Sequence, residues 1–241
     1  MGRMWASQRA VRQIPREEYD SILGFLRCPG FDLFRAGGGC HAAWLESSPT
    51  RLADRMELRL DREAVRTAAR VVVNSEMAAD DLQRHYGMDP QSLRLVRNGV
   101  DLERFRPRSE TGLGREKRIG FLGSSFRRKG LGACLRALVH LPGIQLQIAG
   151  GDRSQARYAK LSHQLGVADR VQFLGVVDDP EQWLCTLGAL VLPTLYDPCA
   201  NACLEAMSCG VPVITTTRNG AAELLPEPWM ALPASSDDRA L

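Results

Sequence analysis

The chain has 241 residues, of which 44% are hydrophobic and 24% are charged, and its formal net charge at pH 7 is +3. This size and balance fit one large or two small globular domains with an ample core. The charge is too small to indicate a nucleic-acid-binding protein, and no apolar run approaches the length of a membrane-spanning helix.

The seven cysteines are an odd set without a C-x-x-C pair. Cys199 and Cys203 are four residues apart, but no histidine lies near them in the sequence, so neither a disulfide framework nor a metal site is predicted. Reduced thiols in a cytosol are the default for such a set. Because the first residues also lack a secretory signal, we expect a cytoplasmic protein.

The first hundred residues alternate apolar runs with charged segments. This order of strand, helix, strand, helix and strand predicts a parallel sheet with helices on its faces. The predicted elements are a helix around Glu17–Leu26, a strand at Phe31–Arg35, a helix at Ala53–Ala69, a strand at Arg70–Asn74, a helix capped by Ser75 and a strand at Leu93–Arg97.

Three glycines, Gly37–Gly39, follow the first of these strands, and His41 comes after them with only Cys40 between. Glycines permit a backbone to approach a ligand closely, or they simply form a tight turn. We interpret His41 as a packed structural histidine, with a catalytic histidine as the alternative.

The stretch Val100–Lys117 is polar and lacks periodicity, which indicates a linker. A second series of strands and helices then begins, so two domains are predicted, 1–107 and 108–241. The predicted strands are Arg118–Leu122, Ile144–Ala149, Val171–Leu174, Ala189–Leu192 and a strand at Val211, and the predicted helices are Leu131–Leu141, Ser154–Leu165 and Pro180–Leu187.

The loop Gly123–Gly130, GSSFRRKG, follows the first strand of this second series. Small residues that expose N–H groups, together with Arg128 and Lys129, supply what a diphosphate needs at the edge of a parallel sheet. The spacing matches neither a P-loop nor a dinucleotide fingerprint. The alternative is a solvated basic loop, and in both cases we expect exposed cations.

The stretch Tyr196–Gly210, YDPCANACLEAMSCG, predicts a helix that starts at Asp197-Pro198 and ends at Gly210. The first-turn N–H groups then lie at the positive end of the helix dipole, which suits a phosphate. Glu205 would lie about 12 Å of helix rise beyond Asp197. That separation is too long for an acid/base pair on one bond but fits the two ends of a nucleotide sugar. The alternative is a helix cap and a solvated glutamate.

Four segments together resemble the retaining GT-B glycosyltransferases of group 1, and among these most closely the lipopolysaccharide core glucosyltransferase I family. The segments are FDLFRAGGGC (Phe31–Cys40), RNGVDLERFRP (Arg97–Pro107), GFLGSSFRRKG (Gly120–Gly130) and YDPCANACLEAMSCGVPVITT (Tyr196–Thr216). The resemblance implies the GT-B fold, an α/β architecture of two Rossmann-like parallel-sheet domains.

A whole member of that family begins its N-terminal domain with a glycine-rich β-α unit, which has no counterpart here. The resemblance therefore implies that 1–107 is the C-terminal part of an incomplete, acceptor-side domain. Residues 108–241 correspond to the nucleotide-sugar-binding domain, truncated at its end. We expect this chain alone to have little or no transferase activity.

The resemblance implies a catalytic set of three residues. Arg128 and Lys129 would hold the diphosphate of the donor, and Asp197 would contact the donor sugar. The family pattern is Glu-x7-Glu, whereas this chain has Asp197-x7-Glu205, and the shorter acid leaves the donor sugar open. The resemblance also implies further donor-binding residues. Gly123 and Ser124 lie in the loop, Val176 and Val177 would meet the base, Asn201 and Ala202 would meet the diphosphate, and Glu205 would meet the ribose.

The implied activity is transfer of a hexose, with retention, from a nucleotide-diphosphate sugar of the UDP-glucose type to a lipopolysaccharide-core, other glycan or lipid-linked acceptor. The family needs no metal and no cofactor, no nucleic acid partner is expected, and peripheral contact at the inner face of the membrane is left open. The main protein contribution would be electrostatic stabilisation of the leaving diphosphate. The alternatives are a non-catalytic nucleotide-binding or assembly module and a sugar-nucleotide epimerase on the same fold.

Overall fold

A computed structural model describes residues 9–11, 13–48, 52–108 and 117–234. The chain divides into two compact units, Met1–Asn98 and Gly99–Leu241. The domain boundary expected between residues 107 and 108 lies a few residues farther along the chain and stays a prediction.

The first unit contains a four-stranded sheet whose strands follow chain order, β1-β2-β3-β4. Every neighbouring pair is parallel, as the alternation of strands and helices predicts. The elements are β1 (Leu23–Gly24), β2 (Leu33–Arg35), α1 (His41–Glu46), α2 (Leu52–Thr67), β3 (Arg70–Val73), α3 (Glu76–Tyr86) and β4 (Leu93–Leu95).

Helix α3 illustrates how local sequence sets an element of this unit. The Ser75 hydroxyl accepts a hydrogen bond from the Ala78 N–H at 3.1 Å, as expected of an N-cap. Gly87 ends the helix with a left-handed φ of 66°. Both ends of α3 are thus set by the residue types at those positions.

The helix expected around Glu17–Leu26 is wrong. Arg16–Glu18 forms one short 3-10 turn, and the chain then extends into β1. The Asp32 carboxylate accepts a hydrogen bond from the Ile22 N–H at 2.8 Å and holds this segment extended beside β2. The competing contact comes from ten residues away, so the local pattern alone did not reveal it.

The second unit contains a six-stranded parallel sheet in the order β10-β9-β8-β5-β6-β7. The strands are β5 (Arg118–Leu122), β6 (Gln145–Ala149), β7 (Val171–Gly175), β8 (Ala189–Leu192), β9 (Val213–Thr216) and β10 (Ala231–Leu232). The helices are α4 (Leu131–Leu138), α5 (Gln155–Gln164), α6 (Pro180–Cys185) and α7 (Asn201–Ser208).

The strand order of this sheet reverses between β5 and β8. From β5 the chain adds β6 and β7 on one side and then returns to place β8 on the other. In open parallel sheets, ligands bind at the carboxyl ends of the strands where the order reverses. The segments that follow β5 and β8 are therefore the first place to look for a site.

Aromatic side chains connect the loop after β5 to the core of the second unit. Phe121 of β5 and Phe126 of the following loop pack edge to face, with ring centroids 5.8 Å apart. Phe126 packs in the same way on Tyr158 of α5. Because Phe126 is fully buried, the loop that follows β5 is anchored in the core rather than hanging free in solvent.

The seven cysteines all lie in the described part of the chain, are buried and form no disulfide. Burial raises the pKa of the Cys203 thiol to about 12, so it stays protonated and behaves as a small apolar side chain. Among the helices that the structure describes, none combines the length and the apolar character needed to cross a bilayer.

Candidate functional site

The backbone of the loop Gly123–Gly130 adopts positive φ angles at several residues. Ser125 has a positive φ of 59°, and Gly130 has a φ of 80° where α4 begins. A Cβ on Gly130 would lie 2.0 Å from the carbonyl oxygen of Pro193, which follows β8. Only glycine fits there, and the close approach brings the loop after β5 against the segment after β8.

Asp152, which directly follows the glycine pair after β6, holds the same loop. Its carboxylate accepts the Phe126 N–H at 2.9 Å, and it accepts the N–H and hydroxyl of Ser154 at 2.7 and 2.5 Å. Burial opposes ionisation of Asp152, but these hydrogen bonds outweigh it and lower the pKa of the carboxyl. Asp152 therefore fixes the loop as a charged acceptor.

Arg128 and Lys129 converge on one oxygen of Asp197. The Arg128 Nη1 lies 3.1 Å and the Lys129 Nζ 3.3 Å from Asp197 Oδ2. Arg128 also donates to the carbonyl oxygen of Tyr196 at 3.3 Å. The three residues of the predicted catalytic set are thus brought together at the switch point of the sheet.

The expectation of exposed cations in this loop is wrong for Lys129, which is only 8% exposed. Its aliphatic stem covers Gly123, where a Cβ would lie 2.6 Å from the lysine Cδ. Asp197 is also buried, at 6% exposure. A buried ammonium needs a partner, and Asp197 is that partner.

The expected helix start at Asp197-Pro198 is also wrong. Helix α7 begins at Asn201, and its N-cap is Ala200, which offers no side-chain hydrogen bond. The Asp197 carboxylate faces the two cations instead. Its backbone pairs in a parallel bridge with Asn219, whose side-chain oxygen accepts the Ala200 N–H at 3.1 Å.

Glu205 consequently lies one turn beyond the start of α7, not two turns into a helix from Asp197. Asn201 is exposed and Ala202 partly buried in the first turn. Burial raises the pKa of the half-buried Glu205 carboxyl, against the opposing effects of Arg104 and Lys129. The charge of Lys129 therefore acts on both acids of the Asp197-x7-Glu205 pattern.

The remaining predicted donor-binding residues follow strand ends of the same sheet. Gly123 and Ser124 come directly after β5, and Val176 and Val177 come directly after β7. Val176 is 81% exposed. Because the strands are parallel, all four lie at the carboxyl edge of the sheet, and their role in donor binding stays a prediction.

A cavity of about 680 Å³ in the second unit is lined by other residues, from the runs 103–108 and 181–186. The Arg104 guanidinium pairs with Glu181 at its wall, at 3.0 Å. None of the predicted donor-binding residues lines this cavity. The candidate site is instead the open sheet edge where the cations meet Asp197.

Sequence reasoning missed Asp152 and Asn219, which position the candidate site. The available signals were the Asp-x-Ser pattern after the glycine pair that ends β6, and the Asn-Gly turn after β9. Both signals predict a turn. Neither indicates that the side chain reaches across to a different loop.

His41, the remaining candidate, is the first residue of α1 and is buried. Its backbone N–H donates to Asp61 Oδ2 at 2.8 Å, and its ring Nδ1 lies 3.4 Å from Arg27 Nη1. The first contact holds the backbone where α1 begins, and the second holds the ring beside Arg27.

Comparison with known proteins identifies the family. A model described as "Glycosyl transferases group 1" matches residues 116–240, more than half of the chain. A second model, "Glycosyltransferase Family 4", matches residues 2–104.

Curated relatives match only in part. The D-inositol 3-phosphate glycosyltransferase of Streptomyces bingchenggensis is 32% identical, across 66% of this chain and 40% of its own length. Its counterpart from Mycobacterium marinum is 31% identical, across 66% of this chain and 37% of its own length. The chain thus spans about two fifths of the length of these relatives.

Solved structures share the fold. WaaG, a glycosyltransferase involved in lipopolysaccharide biosynthesis, aligns with a TM-score of 0.77 at 22% identity, over 92% of this chain and 65% of that one. Sucrose-phosphate synthase from Thermosynechococcus elongatus aligns with a TM-score of 0.76 at 22% identity, over 98% of this chain and 60% of that one. Anabaena HepE in complex with UDP and glucose aligns with a TM-score of 0.66 at 22% identity, over 88% of this chain and 67% of that one.

At these identities the structural likeness establishes the fold alone, and it confirms the predicted GT-B fold with two parallel sheets. Membership of a family rests on the sequence model that spans residues 116–240. That segment contains the loop after β5, Asp197 and Glu205. The chain belongs to the group 1 glycosyl transferases.

Proposed function

We propose that this chain serves a retaining glycosyltransferase that takes a hexose from a nucleotide-diphosphate sugar of the UDP-glucose type. In this proposal residues 108–241 bind the donor and residues 1–107 belong to the acceptor side. The main support for this proposal is that Arg128 and Lys129 converge on the Asp197 carboxylate at the switch point of the six-stranded sheet.

The charge at this point favours an anionic ligand. Two cations face one carboxylate, so the trio carries a net positive charge before a ligand arrives. A diphosphate would share the two cations, and the released Asp197 carboxylate could accept hydrogen bonds from the sugar hydroxyls. A buried Lys129 makes the interaction strong, because little water screens it.

The same contacts would assist the bond cleavage. As the bond between the sugar and the diphosphate breaks, negative charge grows on the phosphate oxygen, where Arg128 and Lys129 stabilise it. Attack of the acceptor from the same face gives retention without a protein nucleophile. The acid at position 197 orients the sugar and forms no covalent intermediate.

The other donor contacts follow from position. The first-turn N–H groups of Asn201 and Ala202 would meet the phosphates, and Glu205 would accept from the ribose hydroxyls. Val176 and Val177, after the edge strand β7, would meet the base. The bound UDP and glucose of the HepE structure support a UDP-sugar donor.

The acceptor follows less directly from this site. The likeness to WaaG, whose role is in lipopolysaccharide biosynthesis, supports a lipopolysaccharide-core glycan or a lipid-linked acceptor. We accordingly propose a cytoplasmic enzyme that meets its acceptor at the inner face of the membrane.

Titration calorimetry with UDP, GDP, ADP and NAD tests the donor class. We expect heat with UDP above all, and little or no turnover when UDP-glucose is supplied to this chain alone. UDP binding that is unchanged in Glu205→Gln would favour the non-catalytic module, and NAD binding would favour the epimerase. No heat with any nucleotide, from a chain whose circular dichroism is that of a folded α/β protein, would contradict the proposal.

A further inference from the structure

The segment 193–200 carries Asp197 from the end of β8 to the start of α7. It contains neither a helix nor a strand of its own, so its position depends on contacts with other parts of the second unit. An acid that orients a sugar has to be held within a fraction of an ångström of its place. The contacts that hold this segment therefore bear on donor binding.

Two threonines at the end of β9 fix the beginning of the segment. The Thr215 hydroxyl donates to the carbonyl oxygen of Leu192 at 2.7 Å, and the Thr216 hydroxyl donates to the carbonyl oxygen of Thr194 at 2.6 Å. Both threonines are buried. The chain thus leaves β8 along a path that the side chains of β9 define.

The turn after β9 holds the middle of the segment by its backbone. The Asp197 N–H donates to the carbonyl oxygen of Arg218 at 2.9 Å, and the Gly220 N–H donates to the carbonyl oxygen of Asp197 at 2.9 Å. The residue between these two partners is Asn219, which forms a parallel bridge with Asp197. The backbone of the acid is therefore held from both sides of Asn219.

The side chain of Asn219 fixes the end of the segment and is only 1% exposed. Its Oδ1 accepts the N–H groups of Ala200 and Ala221, each at 3.1 Å. Its Nδ2 donates to Thr215 Oγ1 at 2.9 Å and faces Cys203 Sγ at 3.4 Å. All the hydrogen-bonding positions of the amide are used.

Only an amide satisfies this set of partners. The Thr215 hydroxyl gives its proton to Leu192, so it can only accept from residue 219, and the Ala200 N–H needs an acceptor there. A carboxylate has no proton to donate, and an aliphatic side chain offers neither function. The network also determines which end of the amide carries the nitrogen.

The same amide leaves the Asp197 carboxylate available for the site. Ala200 is the N-cap of α7 and has no side chain that could accept a hydrogen bond. The Asn219 oxygen accepts the Ala200 N–H from 19 residues away. Asp197 is consequently not needed at the helix start, and its carboxylate faces Arg128 and Lys129.

We propose that Asn219 is a positioning residue for the donor sugar. It does not touch the ligand, and its amide holds the segment 193–200 where the Asp197 carboxylate meets the sugar hydroxyls; this rests on the function proposed above. Arg128 and Lys129 belong to a different loop, which Asp152 and the buried Phe126 anchor. Loss of the Asn219 amide should therefore affect the sugar more than the diphosphate.

The test is calorimetric titration of the full chain and of Asn219→Ala with UDP and with UDP-glucose. We expect the affinity for UDP-glucose, relative to that for UDP, to fall about tenfold in the variant, the effect of losing one hydrogen bond to a charged group. A merely structural role would lower the temperature of unfolding and leave this ratio unchanged in the folded protein.

Ser162→Ala is the matched control. The buried Ser162 hydroxyl donates to the carbonyl oxygen of Ala159 at 2.8 Å within α5. The substitution removes a buried hydrogen bond of the same unit outside the candidate site, so the ratio of the two affinities should be that of the wild type.

A second variant decides the question if Asn219→Ala does not fold. Thr215→Val keeps the shape of the side chain but removes the hydroxyl that accepts from Asn219, so a smaller fall of the ratio in the same direction is expected. UDP binding with an unchanged ratio in the folded variant would overturn the positioning role and leave the donor proposal standing. A wild-type chain that gives no heat with UDP would overturn the donor proposal and this inference with it.

Discussion

Two polar clusters of this chain gather side chains around one atom, yet the gathered charges are opposite. At the switch point of the six-stranded sheet, two cations converge on one oxygen of Asp197. In the first unit, two carboxylates of helix α2 converge on one nitrogen of His41. Strand ends provide the position of the first cluster and a helix provides the carboxylates of the second, so the side chains on these elements decide the sign of the charge.

The clusters also differ in how their buried atoms are satisfied. Lys129 and Asp197 are each buried, and each is the other's partner. The His41 Nε2 is buried without a hydrogen bond from the described residues. In the first cluster the ion pair satisfies both buried charges, whereas in the second the ring nitrogen lies 3.6 Å from each of two carboxylates, beyond hydrogen-bond distance. Variants at both clusters test that contrast.

The largest effect is expected from Asp61→Asn. Asp61 is 1% exposed, it accepts the Tyr86 hydroxyl at 2.7 Å, and it pairs with Arg27. Burial and the nearby Asp61 charge raise the pKa of the Tyr86 hydroxyl, so it remains a donor. The substitution replaces the charged acceptor of Tyr86 and the partner of Arg27 by a neutral amide, while Arg27 is a third exposed and keeps Glu57 at 3.9 Å. The free energy of unfolding should therefore fall by about 3 kcal/mol, the upper end for hydrogen bonds to a charged group.

Urea denaturation measures this loss, with Glu63→Gln on the same helix as a control that should change stability by less than about 0.5 kcal/mol. If Asp61→Asn were as mild as the control, Asp61 would not hold the His41 cluster together, and the contrast between the clusters would disappear.

Lys129→Ala should weaken UDP binding by about 1.5–3 kcal/mol, the range for a hydrogen bond to a charged group. Because Lys129 is buried against Asp197, the substitution should also lower the free energy of unfolding by about 1 kcal/mol. Calorimetry and denaturation measure the two effects. Lys160→Ala, at an exposed lysine of α5, should change neither, and an unchanged UDP affinity in Lys129→Ala would place the phosphates elsewhere.

Glu205→Gln should weaken UDP binding by about 1–2 kcal/mol, because the amide keeps one acceptor oxygen but loses the charge. Pyrophosphate has no ribose, so its affinity should be nearly the same in the variant and the wild type. Competition between the two ligands in one calorimetric series makes the comparison direct. If UDP affinity does not change, Glu205 does not contact the ribose.

Asp152→Asn should have the smallest effect, about 1 kcal/mol of stability at neutral pH, since it exchanges charged hydrogen bonds to the loop for weaker ones. The folded-state pKa of Asp152 lies below its ordinary value. Its contribution is therefore present above the unfolded pKa near 3.9 and is lost as the pH falls through the lower folded value. Urea denaturation of both proteins between pH 7 and pH 3 should show the difference shrinking in acid, and a difference independent of pH would contradict this account.

Much of the fold could be predicted because it depends on local sequence. Strands β5 and β8 begin and end at the predicted residues, and Ser75 caps α3 as expected. Apolar runs between turn residues fix strands, and a cap acts within three residues of its partner. That Arg128, Lys129 and Asp197 serve one donor was implied by the family resemblance and stays a prediction, while the structure brings the three side chains together.

The partners of individual polar side chains were decided only by the tertiary structure. The sequence alone predicts Asp197 as a cap of its own helix, but the folded chain pairs it with cations 68 and 69 residues earlier. In the same way, His41 meets Asp54 and Glu57 of another helix, which its place after a glycine-rich turn does not indicate. Local sequence determines which backbone conformations are favourable, whereas a buried charge takes the partner that the packed core brings nearest, since leaving it alone costs more than a lost cap.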